Sequence, residues 1–196
     1  PPAPAKKEAP RTMRDLRLAT ETRRKAPAGR SAVNPLREGL RLERVPDPAT
    51  FVLFGATGDL AHRKVIPALY QLWRTHLLPH EFAIVAVGRR PYSDEAFREE
   101  LKASLEAYSR VQPVEREAWD ELAERISYHQ GDFADPATYQ ALAERLDALD
   151  LERGTRGNRI FYLATQPSQF AEVVGHLGRV GLDHERHEGG WRRVVI

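Results

Sequence analysis

Fourteen residues, FVLFGATGDLAHRK from Phe51 to Lys64, carry most of the chemistry this sequence offers. Four apolar residues run into Gly55-Ala56-Thr57-Gly58, and Asp59, His62, Arg63 and Lys64 follow directly. Glycines between a strand and a helix let the chain turn tightly and bring backbone amides close to a ligand. The helix N-terminus behind them favours negative charge. An anion, above all a pyrophosphate, accounts for that arrangement. The spacing is G-x-x-G-x-x-A, with Ala61 as the small residue, and it is looser than the G-x-G-x-x-G fingerprint. A tight strand-to-helix turn in any α/β protein would look the same, so this element needs support from elsewhere.

Val87-Gly88-Arg89-Arg90-Pro91 supplies it. An NAD site usually ends its second strand with an acid that holds the ribose hydroxyls, whereas a 2′-phosphate needs a cation. Arg89 falls 31 residues after Gly58, about one helix and one strand along, and no acid occurs before Asp94. A guanidinium fork suits a phosphate. Two surface arginines in a turn are the plainer reading, but together with the glycine turn they favour NADP over NAD. Gly131-Asp132-Phe133 ends a third strand, where an adenine would lie in such a protein; Asp132 equally suits a cap for the helix that follows. His184 and His187 stand at i, i+3 in a polar, glycine-flanked loop with no third ligand nearby, so neither a metal pair nor a catalytic base is expected there.

These residues need a scaffold, and the pattern from Phe51 onward provides one. Strands are expected at Phe51–Phe54, Phe82–Val87, Ile126–His129 and Arg159–Ala164, with a last one from Trp191 to Ile196. Helical patterns fall between them: after Leu60, with Pro67 imposing a kink or a late start; at Ser93–Tyr108 with Ser93 as cap; at Val114–Arg125; at Pro136–Leu149 with Asp135 as cap; and at Pro167–Gly178. Continuous apolar strands such as Phe51-Val52-Leu53-Phe54 are buried on both faces. Regular alternation of strand and helix gives an α/β fold: a Rossmann-like, doubly wound parallel sheet with helices on both faces and ligands beyond the carboxyl ends of its strands.

The 196 residues are 41% hydrophobic and 30% charged, a globular composition. No run approaches the ~18 apolar residues of a membrane span, so no membrane partner is expected. The absence of cysteine excludes disulfides and thiolate chemistry and fits a reducing, cytoplasmic setting. Residues 1–50 carry 12 Lys/Arg against 6 Asp/Glu, while residues 51–196 carry 18 against 22. Residues 1–33, rich in Pro, Ala and Arg, read as a disordered basic arm, and residues 34–50 as an extended lead-in ended by Pro46 and Pro48. Acids at Glu8, Asp15 and Glu21 argue against a targeting presequence. No aromatic is interleaved with the basic residues, so a nucleic-acid partner is not expected.

GATGDLAHRK resembles the G-[AG]-[ST]-G-D-L-A-x-[KR]-K stretch of the glucose-6-phosphate dehydrogenase family. FAIVAVGRRPYSDEAFR, YHQGDFADPATYQAL, RIFYLATQPSQF and GWRRVVI are similar to further stretches of that family, in the same order and at the same spacing. The resemblance covers about residues 51–196 and implies an NADP-binding domain. It implies oxidation of glucose 6-phosphate at C1 to 6-phosphogluconolactone, the opening step of the pentose phosphate pathway, and a homo-oligomer in the full-length form. Position by position, it makes Gly55, Ala56, Thr57, Gly58, Asp59 and Leu60 the pyrophosphate turn. Asp59 would orient that turn by accepting amides. Arg89 becomes the 2′-phosphate residue, Asp132 and Phe133 part of the cofactor site, Phe170 an aromatic beside the cofactor, and Lys64 an attractor of the sugar phosphate. Gln166-Pro167 departs from the family's two prolines. The sequence ends at Ile196, before the family's Glu-Lys-Pro and its catalytic histidine, so residues 1–196 alone are expected to be inactive. A non-catalytic NADP sensor of the short-chain dehydrogenase type is the alternative, since no tyrosine here has a lysine four residues on.

Overall fold

The computed structural model describes residues 45–185 and 190–196. The basic arm, most of the lead-in and His187 lie outside the described residues. Five strands form one sheet: β1 (Ala49–Phe54), β2 (Phe82–Gly88), β3 (Ile126–Gln130), β4 (Arg159–Leu163) and β5 (Arg192–Val195). Their order is β3-β2-β1-β4-β5, and every pair is parallel. The fold is therefore the Rossmann-like doubly wound sheet that the alternation predicts. β1 starts two residues earlier than the apolar run suggests, because the Thr50 amide already bonds the Asn158 carbonyl at 2.8 Å.

Side chains alternate between the faces, so each strand feeds two cores. Leu53 and Ile84 point to the layer made by α1 (Ile66–Arg74), α2 (Asp94–Tyr108) and α3 (Arg116–Ala123), packing with Tyr70, Phe97 and Leu122. Val52, Phe54 and Val85 point to α4 (Pro136–Arg153) and α5 (Phe170–Arg179), packing with Tyr139, Leu146 and Leu177. With both faces covered, β1 and β2 are buried along their whole length.

The caps explain where the helices start. Ser93 accepts the Ala96 amide, and Asp135 accepts the Ala137 amide with Pro136 opening the helix. α4 runs on past Leu149 until Gly154 closes it at φ +70°. Around Pro67 the chain takes an unusual course. Helical winding begins at Asp59, widens into a π turn over Ala61–Val65 and resumes as α1 at Ile66. Proline offers no amide to the preceding turn and crowds its carbonyls; the wider winding accommodates it in the first turn of α1. The segment after β4 starts as a short 3₁₀ turn, Pro167–Gln169, before α5.

Candidate functional site

In the order 3-2-1-4-5 the connections leave β1 in opposite directions, and a crevice opens beyond the carboxyl ends of β1, β2 and β4. It encloses about 720 Å³. The glycine turn forms its floor. The Gly55 and Ala56 amides both donate to the Val87 carbonyl at 3.1 Å, and Gly58 donates to the Gly55 carbonyl at 2.9 Å. Gly55 needs φ +79°, and a Cβ there would lie 2.6 Å from the Ala164 carbonyl oxygen. Only glycine closes this turn against β4. Winding starts at Asp59 and its first bond runs from the His62 amide to the Gly58 carbonyl at 3.2 Å, so the Asp59 and Leu60 amides lie in the open first turn, where a helix has no carbonyl of its own to offer. That is a donor set for an anion.

The β2 end forms the second wall. Gly88 packs under Tyr128, with room for no side chain: a Cβ would meet the tyrosine oxygen at 2.6 Å and Thr57 Cγ2 at 3.2 Å. Arg89 and Arg90 follow, both exposed and both facing the crevice. Among the described residues neither forms an ion pair, and no carboxylate lines the crevice. The first acid after β2, Asp94, is already engaged: its Oδ1 accepts the Tyr128 amide at 2.6 Å and its Oδ2 lies 3.7 Å from Arg98. Phe133 closes a third side, buried edge-on against Phe54 with ring centroids 5.8 Å apart. After β4 come Ala164, Thr165, Gln166, Pro167 and Gln169. Thr165 Oγ1 is buried there with no hydrogen-bond partner among the described residues. An unsatisfied hydroxyl, the open amides, the cradle at Gly55 and two unpaired guanidinium groups suit a phosphorylated nucleotide bearing several anionic and hydroxyl groups.

Of the residues singled out from sequence, Gly55, Thr57, Gly58, Leu60, Arg89 and Phe133 meet at this crevice. Ala56 is buried beneath the turn. Asp59 stands outside the wall. Its carboxylate lies 3.5 Å from Arg63 Nη1, one helical turn on. Asp132 is exposed and accepts the Ala134 amide at 3.0 Å, closing the turn ahead of α4, while Asp135 caps the helix. Phe170 is half-buried against the α4–α5 core, beside the wall rather than on it. Lys64 is exposed on the π turn and lines a separate cavity of about 330 Å³ with Arg63, Gln71 and Arg110. His184 is exposed next to Asp183. Gly88, Arg90, Thr165, Gln166 and Gln169 also line the crevice, though the sequence patterns assign none of them to the site. Each follows or ends a strand, which is the position that would have found them.

Behind the turn, His62 Nδ1 lies 2.7 Å from Ser104 Oγ, whose own hydrogen goes to the Glu100 carbonyl at 3.0 Å. A hydrogen on Nδ1, donated to the Ser104 oxygen, fits that pattern, while Nε2 lies 3.6 Å from Glu100 Oε1. Burial pushes the imidazole below its ordinary pKa, an effect that nearby Glu100 partly offsets.

A doubly wound parallel sheet with a glycine turn and an anion-ready crevice at its switch point defines an NAD(P)-binding domain of the Rossmann type. The model for "Glucose-6-phosphate dehydrogenase, NAD binding domain" matches residues 52–196, and the chain belongs to the glucose-6-phosphate dehydrogenase family. It is 40% identical over 153 residues to glucose-6-phosphate 1-dehydrogenase of Chlamydia muridarum, covering 76% of this chain and 30% of that protein. It is 41% identical over 173 residues to glucose-6-phosphate 1-dehydrogenase 2 of Mycobacterium tuberculosis, covering 87% and 33%. A solved structure of glucose-6-phosphate dehydrogenase in complex with its substrate glucose-6-phosphate superposes with a TM-score of 0.67 at 28% identity, covering 78% of this chain and 30% of that one. The Mycobacterium avium enzyme gives 0.61 at 30% identity, covering 76% and 29%. The chain thus spans about a third of the length of the curated relatives it matches. Among the described residues, no helix is long and apolar enough to cross a membrane.

Proposed function

We propose that this chain is the NADP-holding part of a dehydrogenase that oxidises glucose 6-phosphate at C1 to 6-phosphogluconolactone, opening the pentose phosphate pathway. One observation carries the choice of NADP: two arginines and no carboxylate face the crevice at the end of β2. When bound, NADP supplies the hydride acceptor at its nicotinamide. The chain's own residues hold and orient it. The Asp59 and Leu60 amides and the Thr57 hydroxyl take the pyrophosphate, and Arg89, seconded by Arg90, takes the 2′-phosphate. Asp132 and Phe133 border the adenosine end, and Phe170 supports the wall after β4. Lys64, outside the crevice, attracts the doubly anionic sugar phosphate through its field.

No aspartate, glutamate or histidine lines the crevice among the described residues, so the base that takes the C1 hydroxyl proton is not supplied there. Residues 1–196 alone bind cofactor and turn nothing over. The full-length form works as a cytoplasmic homo-oligomer with glucose 6-phosphate as substrate. Calorimetric titration tests the cofactor reading. Arg89→Ala is expected to weaken NADP binding about ten- to a hundredfold, as a lost charge-assisted phosphate contact should, and NAD binding by no more than about twofold. Equal losses for the two would remove the 2′-phosphate role.

A further inference from the structure

Arg89 is one exposed residue in a short turn, yet its backbone is held on both sides. Before it, the Gly88 carbonyl accepts the Gly131 amide at 2.9 Å. After it, the Arg90 carbonyl accepts the Tyr128 hydroxyl at 2.7 Å. Tyr128 is not on the crevice wall, so it has no direct part in binding. We propose that Tyr128 is a positioning residue for cofactor choice, fixing the Arg89–Arg90 turn so that the guanidinium groups meet a 2′-phosphate. The inference rests on the NADP reading above and deepens it.

Tyr128 is itself fixed. Its backbone amide donates to Asp94 Oδ1 at 2.6 Å. Its ring packs between Phe97, 4.6 Å away, and Tyr92, 5.4 Å away and edge-on. Burial pushes the phenol up to about 12, so it remains a donor across the neutral range. Gly88 completes the arrangement, since any side chain there would collide with the phenol oxygen. Without that hydroxyl the Arg90 carbonyl turns to water, and the turn regains conformers in which Arg89 misses the phosphate. Order lost from the free protein is recovered only at the expense of affinity. A ligand lacking the 2′-phosphate makes no use of the arginines and should not register the change.

Calorimetry of the 196-residue chain with 2′,5′-ADP and 5′-AMP separates the two. Tyr128→Phe keeps the ring and removes only the donor. It is expected to weaken 2′,5′-ADP binding about three- to tenfold, the worth of one hydrogen bond, and to leave 5′-AMP within about twofold. Equal losses for both ligands, or none, would overturn the inference. If the wild-type chain shows no preference for 2′,5′-ADP, the NADP reading itself fails. If that preference survives Tyr128→Phe intact, only the role of Tyr128 fails. A second arm tests the packing, with urea unfolding used to confirm that each variant is folded. Gly88→Ala should cost 2′,5′-ADP affinity in the Tyr128 chain and much less in Tyr128→Phe, because the oxygen it strikes is gone. Additive losses would contradict the packing that the inference requires.

Discussion

Arg89 and Arg159 stand at opposite ends of one parallel sheet, in opposite surroundings. Arg159 opens β4 at the amino end and is fully buried; its Nη2 lies 2.7 Å from Asp147 Oδ1 and 2.8 Å from Asp150 Oδ2. Asp150 also accepts the Thr155 hydroxyl at 2.5 Å and the Gly157 amide at 3.1 Å, tying α4 to the loop before β4. Arg89, just past the carboxyl end of β2, is exposed and has no ion pair among the described residues. The same side chain closes the structure where the fold places carboxylates beside it, and stays available to a ligand where the fold withholds them. One arginine is bonded into the fold, and the other is the one we propose for binding.

The largest effect should come at the closed end. Asp150→Ala leaves a buried guanidinium short of a partner and two donors without their acceptor. It is expected to cost about 3–5 kcal/mol, read as a lower urea midpoint. A loss under about 1 kcal/mol would mean that Arg159 finds other partners, and the contrast between the two ends would weaken. Gly55→Ala comes next, at the open end. It places a side chain at φ +79° and 2.6 Å from the Ala164 carbonyl. Left-handed strain and overpacking together predict a loss of about 2–4 kcal/mol. Cofactor binding should fall with it in calorimetry, and an alanine variant with wild-type stability and affinity would contradict the turn.

Much of this contrast was legible in the residues and some was not. Gly55, Gly58 and Arg89 declared themselves because strand ends carry ligands in a parallel sheet, and the apolar runs located the strands. Ser93 and Asp135 were readable as caps because their partners are two or three residues away. Arg159 was not readable. Its acids lie 9 and 12 residues back on a helix, and only the packing of α4 on β4 joins them. Asp132 offered two chemically equal roles, and its 3.0 Å contact with the Ala134 amide was not among them, because Asp135 is the residue that caps the helix. The π turn at Ala61–Val65 stayed hidden because Pro67 announces disruption without specifying its form. Lys64 follows the family pattern in sequence, but its placement beside a separate cavity depends on the rotation that this turn imposes.

The smallest effect is a pH dependence behind the turn. Burial holds His62 below its ordinary value of 6.5 in the folded chain. Between the folded and unfolded values the unfolded chain binds the extra proton. The stability from keeping His62 neutral is therefore complete above about pH 6.5 and lost as pH falls through that value toward the folded one. Urea unfolding from about pH 7 to about pH 5 should show a shallower loss of stability for His62→Gln than for wild type. Identical slopes would show that burial does not hold this imidazole below its ordinary value.

The most direct measurement is a crystal structure of the chain soaked with NADP. Density is expected in the crevice, with the pyrophosphate over the Asp59 and Leu60 amides and the 2′-phosphate against the Arg89 guanidinium. Clear NADP density elsewhere on the molecule, with the crevice between Gly58 and Arg89 empty, would contradict the account.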